Sequence, residues 1–243
     1  MKIGIVCLLI WAVALSFGGP PAGADGAGEE FRGDRHSPIP ESSPGGDRGL
    51  RLSGGLRSTY VKLLSPRKGQ GSFIGSIARL KPEQDLLPFR PFLQCTIPAD
   101  DWNFGIGFSY DRLTAATVDE GGGDGDIKSE AYIFYGLAEY TNPTRFTPFV
   151  ELGFGYYRNR FSPLPEWYDR GWREFVLKNS FGVHLGGGID LAVAAGFSLQ
   201  FYVRYSNLEV DGTYYFRRDN RAPRPFTFTL EHLAYGLGAR YAF

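Results

Sequence analysis

The sequence predicts an all-β fold: a closed eight-stranded antiparallel up-and-down transmembrane β-barrel. Three observations carry that expectation. The last eleven residues alternate: Leu233, Tyr235, Leu237, Ala239, Tyr241 and Phe243 share one parity, and Ala234, Gly236, Gly238, Arg240 and Ala242 the other. A strand sends successive side chains to opposite faces, so one face is apolar and aromatic and the other small or charged. The composition, with 16% aromatic residues, 33 Gly and one Met, favours short strands and turns over helices. The links between strand-like segments alternate short and long.

The N-terminus reads as a secretory signal over residues 1–24. Lys2 supplies the positive end, Ile3 to Phe17 is mostly apolar, and Ala22-Gly23-Ala24 offers a cleavage site. An uncleaved anchor is the alternative, but the apolar run falls short of the ~20 residues of a spanning helix. Residues 25–48 are rich in Gly, Pro, Asp, Glu, Ser and Arg without an apolar pattern, and are expected to be a disordered tail. Residues 49–243 form one domain. Cys7 falls in the signal and Cys95 then stands alone, so no intrachain disulfide is expected. A net charge of zero gives no nucleic-acid footprint.

The strands follow in order. The first, about Leu50–Lys62, sets Leu52, Leu56 and Tyr60 against Ser53, Arg57 and Thr59. The second, about Leu86–Ile97, sets Phe89, Leu93 and Ile97 against Arg90, Gln94 and Thr96; Pro88 and Pro91 weaken it by removing ladder donors. The third, Trp102–Thr114, alternates Trp102, Phe104, Ile106, Phe108 and Tyr110 with Asn103, Gly105, Gly107, Ser109 and Asp111. The fourth, about Ile127–Tyr140, is apolar on both faces. Placing Ala131, Ile133, Tyr135 and Leu137 outward puts Glu130, Gly136 and Ala138 inward, together with Tyr132 and Phe134.

The fifth, Phe146–Phe161, sets Val150, Leu152, Phe154 and Tyr156 against Glu151, Gly153, Gly155 and Tyr157. The sixth, Asn179–Ala192, sets Phe181, Val183, Leu185 and Ile189 against His184, Gly186, Gly188 and Asp190. The seventh, Phe197–Val210, sets Leu199, Phe201, Val203 and Tyr205 against Gln200, Tyr202, Arg204 and Ser206. The eighth, about Phe226–Phe243, carries Phe226, Phe228 and Leu230 out of phase with its lower part, which predicts a bulge near Glu231 or a strand extending beyond the membrane.

The short links are Pro98–Asp101, Thr141–Arg145 and Val193–Gly196; the long ones are Leu63–Asp85, Ala115–Asp126, Ser162–Lys178 and Asp211–Pro225. Strict alternation of that kind is the asymmetry of membrane barrels, with short turns at one rim and long loops at the other. Hydrocarbon forces closure, because an open sheet edge leaves backbone groups unpaired at several kcal/mol each. A soluble lipocalin-like barrel would turn its apolar face inward around a ligand. The small, charged second face argues for apolar-outside, and a narrow eight-stranded interior suits such residues.

The closing strand resembles that of Gram-negative outer-membrane β-barrels, a family that typically ends in an aromatic residue, most often Phe, read by the barrel-assembly machinery. Leu86 to Phe243 resembles the small eight-stranded outer-membrane proteins, most of all the OmpW family and next the OmpA-type barrels. The matching stretches are Trp102–Phe108, Phe146–Tyr156 and Tyr235–Phe243. Residues 50–85 depart from the usual first hairpin. The resemblance implies an outer-membrane location with both termini periplasmic, contact with outer-membrane lipid, and Tyr241 and Phe243 as the assembly signal. It also implies passage of small hydrophobic compounds by what is expected to be a monomer.

The charges expected to face the lumen are Arg57, Arg90, Asp111, Glu130, Glu151, Asp190, Arg204 and Arg240, with His184. They read as paired charges filling a closed barrel, since buried charges need partners; the functional alternative is a selectivity path. Asp119 to Asp126 is acidic and Gly-rich, but lacks the spacing and closing Glu of a calcium loop and reads as a solvated loop. Arg204-Tyr-Ser-Asn207 resembles the catalytic strand of outer-membrane lipid A deacylases, where a His two residues before Ser activates that nucleophile. Arg204 stands at the His position, and arginine stays protonated and cannot act as the base. No zinc, phosphate-loop or Cys–His arrangement occurs, so no cofactor, metal or enzymatic activity is expected. The alternatives are a lipid-modifying outer-membrane enzyme and a periplasmic lipocalin-like ligand-binding barrel.

Overall fold

Eight long strands dominate the computed structural model, which describes residues 49–64, 68–71, 80–82, 90–117, 124–165, 173–216 and 222–243. They are β1 (Arg51–Leu63), β2 (Arg90–Ala99), β3 (Trp102–Thr117), β4 (Gly125–Tyr140), β5 (Phe146–Pro163), β6 (Ser180–Ala194), β7 (Phe197–Phe216) and β8 (His232–Ala242). The expected signal segment, the tail and Leu86–Phe89 lie outside the described residues.

Each strand pairs antiparallel with its sequence neighbour, and β8 pairs with both β7 and β1. The hydrogen-bond ring is therefore closed. Closure is fixed at the C-terminus itself: Ser53 lies opposite Ala242, and the Phe243 amide donates to the Leu52 carbonyl at 2.9 Å. The turns at one rim are tight. Asp100 takes a φ of 51° between β2 and β3, and Gly196 a φ of 73° between β6 and β7. Between β4 and β5 the Asn142 side chain accepts from the Thr144 amide at 2.8 Å and donates to the Phe146 carbonyl at 2.8 Å, a self-contained Asx turn.

The long connections lie at the opposite rim and carry short strands of their own. Arg173–Leu177 and Arg224–Thr229 flank the upper end of β7, and Lys68–Gly71 pairs with Arg224–Thr229. Leu80–Pro82 adds to the upper end of β3. The sheet therefore continues above the ring.

Two expectations need correction. Ala131, Ile133, Tyr135 and Leu137 of β4 point inward and are almost fully buried, while Phe134 is 49% exposed on the outside. The strand has the phase opposite to the one expected. Both of its rows are apolar, so alternation could not choose between them; packing does. A Cβ on Gly107 would sit 2.3 Å from the Tyr135 ring, so the glycine leaves the space that the Tyr135 side chain occupies. Glu130, expected in the lumen, consequently lies on the outer row.

The second correction concerns the end of the chain. Of the two explanations expected for its change of phase, the bulge near Glu231 is absent, and the strand row instead extends above the belt. Arg224–Thr229 and β8 meet β7 in one unbroken register, from Tyr214 opposite Arg224 to Phe197 opposite Tyr241. The Leu230 amide bridges the two pieces by donating to the Leu208 carbonyl at 2.9 Å. Even-numbered residues point inward throughout. Phe226, Phe228 and Leu230 look out of phase only because the interior changes from polar to apolar above His232.

Candidate functional site

The lower lumen is a set of ion pairs. Glu151 on β5 accepts from Arg204 Nε on β7 at 3.0 Å and faces Arg57 Nη1 on β1 at 3.4 Å. Contact between these non-adjacent strands runs across the lumen. Arg204 reaches on to Asp111 at 3.7 Å, and Asp111 pairs with Arg90 at 2.9 Å. Nearer the tight-turn rim, Arg240 joins Glu139 and Asp190, the latter at 2.9 Å. The guanidinium of Arg57 also donates through Nε to Gln200 and lies between the rings of Phe92 and Tyr202, 4.4 and 4.6 Å from their centroids. Arg57, Glu151, Asp190 and Arg204 are all 3% exposed or less. Buried charges at such density hold only when they are paired, and here cations and anions are matched in number.

Of the charges expected in the lumen, Arg57, Arg90, Asp111, Glu151, Asp190, Arg204 and Arg240 face it. Glu130 does not. Glu139 does, and the sequence reading missed it. One cause explains both, since reversing the phase of β4 exchanges the two carboxylates. Glu139 ends β4 and Arg240 lies near the end of β8, strands that are not neighbours in the ring, so nothing local in the sequence linked them.

A neutral layer lies above the ion pairs. His184 Nδ1 is 2.8 Å from Ser206 Oγ, and its Nε2 is 3.1 Å from the Tyr157 hydroxyl. Within the ion-pair layer below, Tyr202 hydrogen-bonds Thr59. The fold thus brings His184 to Ser206, although Arg204 stands at the local position that a histidine would need. Both side chains are 2% exposed, and the far nitrogen of the imidazole meets a tyrosine where a catalytic triad has a carboxylate. Among the described residues no group of His, Cys, Asp and Glu is placed to hold a metal ion. The acidic loop 119–126 lies mostly outside the described residues.

Above this layer the interior becomes apolar along β1, β7 and β8, while Ser129, Asn159 and Ser180 stay joined by hydrogen bonds of 2.7 and 2.8 Å between β4, β5 and β6. Val61, Leu113, Leu208, Val210 and Leu230 replace the polar row on their own strands. Phe175 and Phe226, from the short strands, stack at 4.6 Å between centroids, and Phe161 meets Phe175 edge-on at 4.8 Å.

The outer surface changes in the opposite sense at the same height. Below, the strands present Leu56, Leu93, Ile106, Leu152, Phe181 and Leu237 to the surroundings, each 44% exposed or more. The stretch from Trp102 to Tyr110, and that from Tyr132 to Tyr140, match the ~9–11 residues a tilted strand needs to cross hydrocarbon. Tyr60, Tyr110, Tyr132, Tyr156 and Tyr205 close this belt at the top; Trp102, Tyr140 and Tyr241 close it at the bottom. Aromatic girdles at both interfaces are the mark of a membrane barrel. Above the tyrosines the outward residues become Lys62, Arg112, Glu130, Arg158, Asn207 and Glu231. A lipocalin-like arrangement is therefore excluded in the belt, where the charged row is inside.

No family model and no curated protein matches this sequence. Solved structures share its fold. The outer membrane protein OprG from Pseudomonas aeruginosa superposes with a TM-score of 0.61 at 16% identity, over 80% of this chain and 95% of that one. The outer membrane protein AlkL, solved in DMPC lipid bilayers, superposes with a TM-score of 0.55 at 15% identity, over 86% of this chain and 97% of that one. With a closed ring of antiparallel strands, an apolar belt and charges within, the chain has the fold of the small eight-stranded outer-membrane β-barrels.

Proposed function

We propose that this protein is a non-enzymatic outer-membrane barrel that holds small hydrophobic molecules in its upper lumen, above a seal of ion pairs. The observation that carries this reading is the change of the inner row from Arg204 and Ser206 to Leu208 and Val210 along one unbroken strand. Apolar solutes gain from burial against such a surface, and hydrated ions do not. Below it, Glu151 ties β1, β5 and β7 together across the lumen. In this reading the chain is a monomer with both termini periplasmic, in contact with outer-membrane lipid along its belt. Tyr241 and Phe243 form the row read by the barrel-assembly machinery.

The test is binding of a lipophilic fluorescent amine by the reconstituted barrel, with Leu208→Asn and Phe226→Asn as variants. Saturable binding that both variants weaken supports the reading. Absence of saturable binding by a folded wild-type barrel sinks it. The stacking of Phe175 on Phe226 favours a second reading, in which the upper apolar residues form only a packed core for the loops and the protein is structural or surface-interacting. The proximity of His184 to Ser206 makes one further measurement worthwhile. Lipid A acyl content should be unchanged by the protein and by Ser206→Ala; an acyl loss that Ser206→Ala abolishes would make the protein a lipid-modifying enzyme.

A further inference from the structure

We infer that the outer rim of β3, β4 and β5 is a docking site for the phosphate groups of outer-leaflet lipopolysaccharide. The inference rests on the membrane orientation proposed above. Register places Tyr110, Tyr132 and Tyr156 side by side across these strands, with the rings of Tyr110 and Tyr132 5.7 Å apart. That row marks the top of the hydrocarbon. The next outward row is Arg112, Glu130 and Arg158, in direct register, and the one above it holds Lys128 and Arg160. Arg112, Arg158 and Arg160 are exposed, and among the described residues none has a carboxylate within ion-pair distance.

Their height selects the ligand. Side chains one and two rows above the tyrosine girdle reach the headgroup layer, where the phosphates of an anionic lipid lie. A guanidinium fork matches phosphate oxygens and can bind two at once. The opposite side of the rim differs. On β7 the outward row above Tyr205 runs Asn207, Glu209 and Asp211, and Glu231 precedes β8, accepting from the Tyr205 hydroxyl at 2.8 Å; on β4, beyond Glu130, the acid Asp126 comes only above Lys128. The headgroup rim is therefore basic over β3–β5 and acidic over β7–β8, and phosphate should concentrate on the first side only.

Glu130 gives the inference a test of sign. It sits between Arg112 and Arg158 and competes with phosphate for both, so its removal should strengthen binding. Full-length barrel in phosphatidylcholine nanodiscs doped with lipopolysaccharide would be purified and its retained lipid measured by native mass spectrometry. Wild type is expected to retain lipopolysaccharide, and R112Q/K128Q/R158Q/R160Q to lose about tenfold or more of that retention, which salt also weakens. E130Q should retain more than wild type, and E209Q/D211Q the same. Dephosphorylated lipopolysaccharide should be retained no better by wild type than by the quadruple variant, and inorganic phosphate should not compete. Equal retention by wild type and the quadruple variant overturns the inference, as does a fall in retention with E130Q. If the cations instead bind the acidic rim of a second copy, charge-dependent dimers will appear without a change in lipid retention, and the inference is again overturned. A barrel that inserts normally but shows no preference refutes only this site; failure to enter bilayers of any composition refutes the membrane reading itself.

Discussion

The lower and upper halves of this barrel use the same strands in opposite ways. Below the tyrosine row the lipid-facing residues are apolar and the lumen is charged. Above it the outward residues are polar and the interior beside β7 and β8 is apolar, while Ser129, Asn159 and Ser180 keep a buried hydrogen-bonded cluster between β4, β5 and β6. Nothing in the backbone changes, since β7 keeps one phase from Phe197 to Phe216. What changes is the solvent outside. In hydrocarbon the hydrophobic effect no longer drives side chains inward, and the lower half is held by its closed hydrogen-bond ring and by ion pairs across the lumen. In water the upper half folds as a soluble sheet would, around Phe175, Phe226 and their neighbours. The same residue type is therefore stabilising on opposite faces of one strand.

The largest expected effect breaks the lower half. Glu151→Ala leaves Arg57 and Arg204 buried without their shared acceptor, and should cost about 3–5 kcal/mol without opening a stable pore. Urea unfolding monitored by tryptophan fluorescence measures the loss; single-channel recording of the variant is the check, and a large stable conductance would make Glu151 a gate instead.

A pair of arginines sharpens the comparison. Leu237 lies mid-belt on β8 and is 60% exposed, so Leu237→Arg should cost about 2–4 kcal/mol in lipid. Asn207→Arg, outward on β7 just above Tyr205, should cost about 0–1 kcal/mol. Equal penalties in vesicle refolding experiments would put the membrane boundary elsewhere.

Gly107→Ala tests the reversed phase of β4. The added methyl would meet the Tyr135 ring at 2.3 Å, and the overpacking should cost about 1–3 kcal/mol. Gly136→Ala on the outer row meets only the Leu152 carbonyl at 3.8 Å and should be tolerated. Similar thermal stability for the two variants would speak against Tyr135 filling the lumen beside Gly107.

Deleting Phe243 should have the smallest effect on stability. Its ring is 77% exposed and it closes one backbone hydrogen bond to Leu52, so the loss in detergent should be about 1 kcal/mol. Outer-membrane levels should fall much further, because the terminal aromatic row is proposed to act in assembly. Unchanged membrane levels for a deletion that still refolds would remove that role.

By itself, the sequence determined the strand count, the antiparallel order, the alternation of short and long links, and the facing of every strand whose two rows differ in polarity. Trp102 to Tyr110 against Asn103 to Asp111 could be placed only one way. Those features are local, and a period of two expresses them directly. Tertiary structure alone decided β4, because Tyr135 belongs inside for the sake of Gly107, which lies on another strand. It alone exchanged Glu130 for Glu139, joined Glu151 to Arg57 and Arg204 across the lumen, and set His184 beside Ser206. It also showed Phe226, Phe228 and Leu230 to be in phase. Hydrophobicity along a strand reports which face is apolar, and that face depends on whether water or lipid lies outside at that height. Only the closed barrel, with its tyrosine girdle, fixes where one gives way to the other.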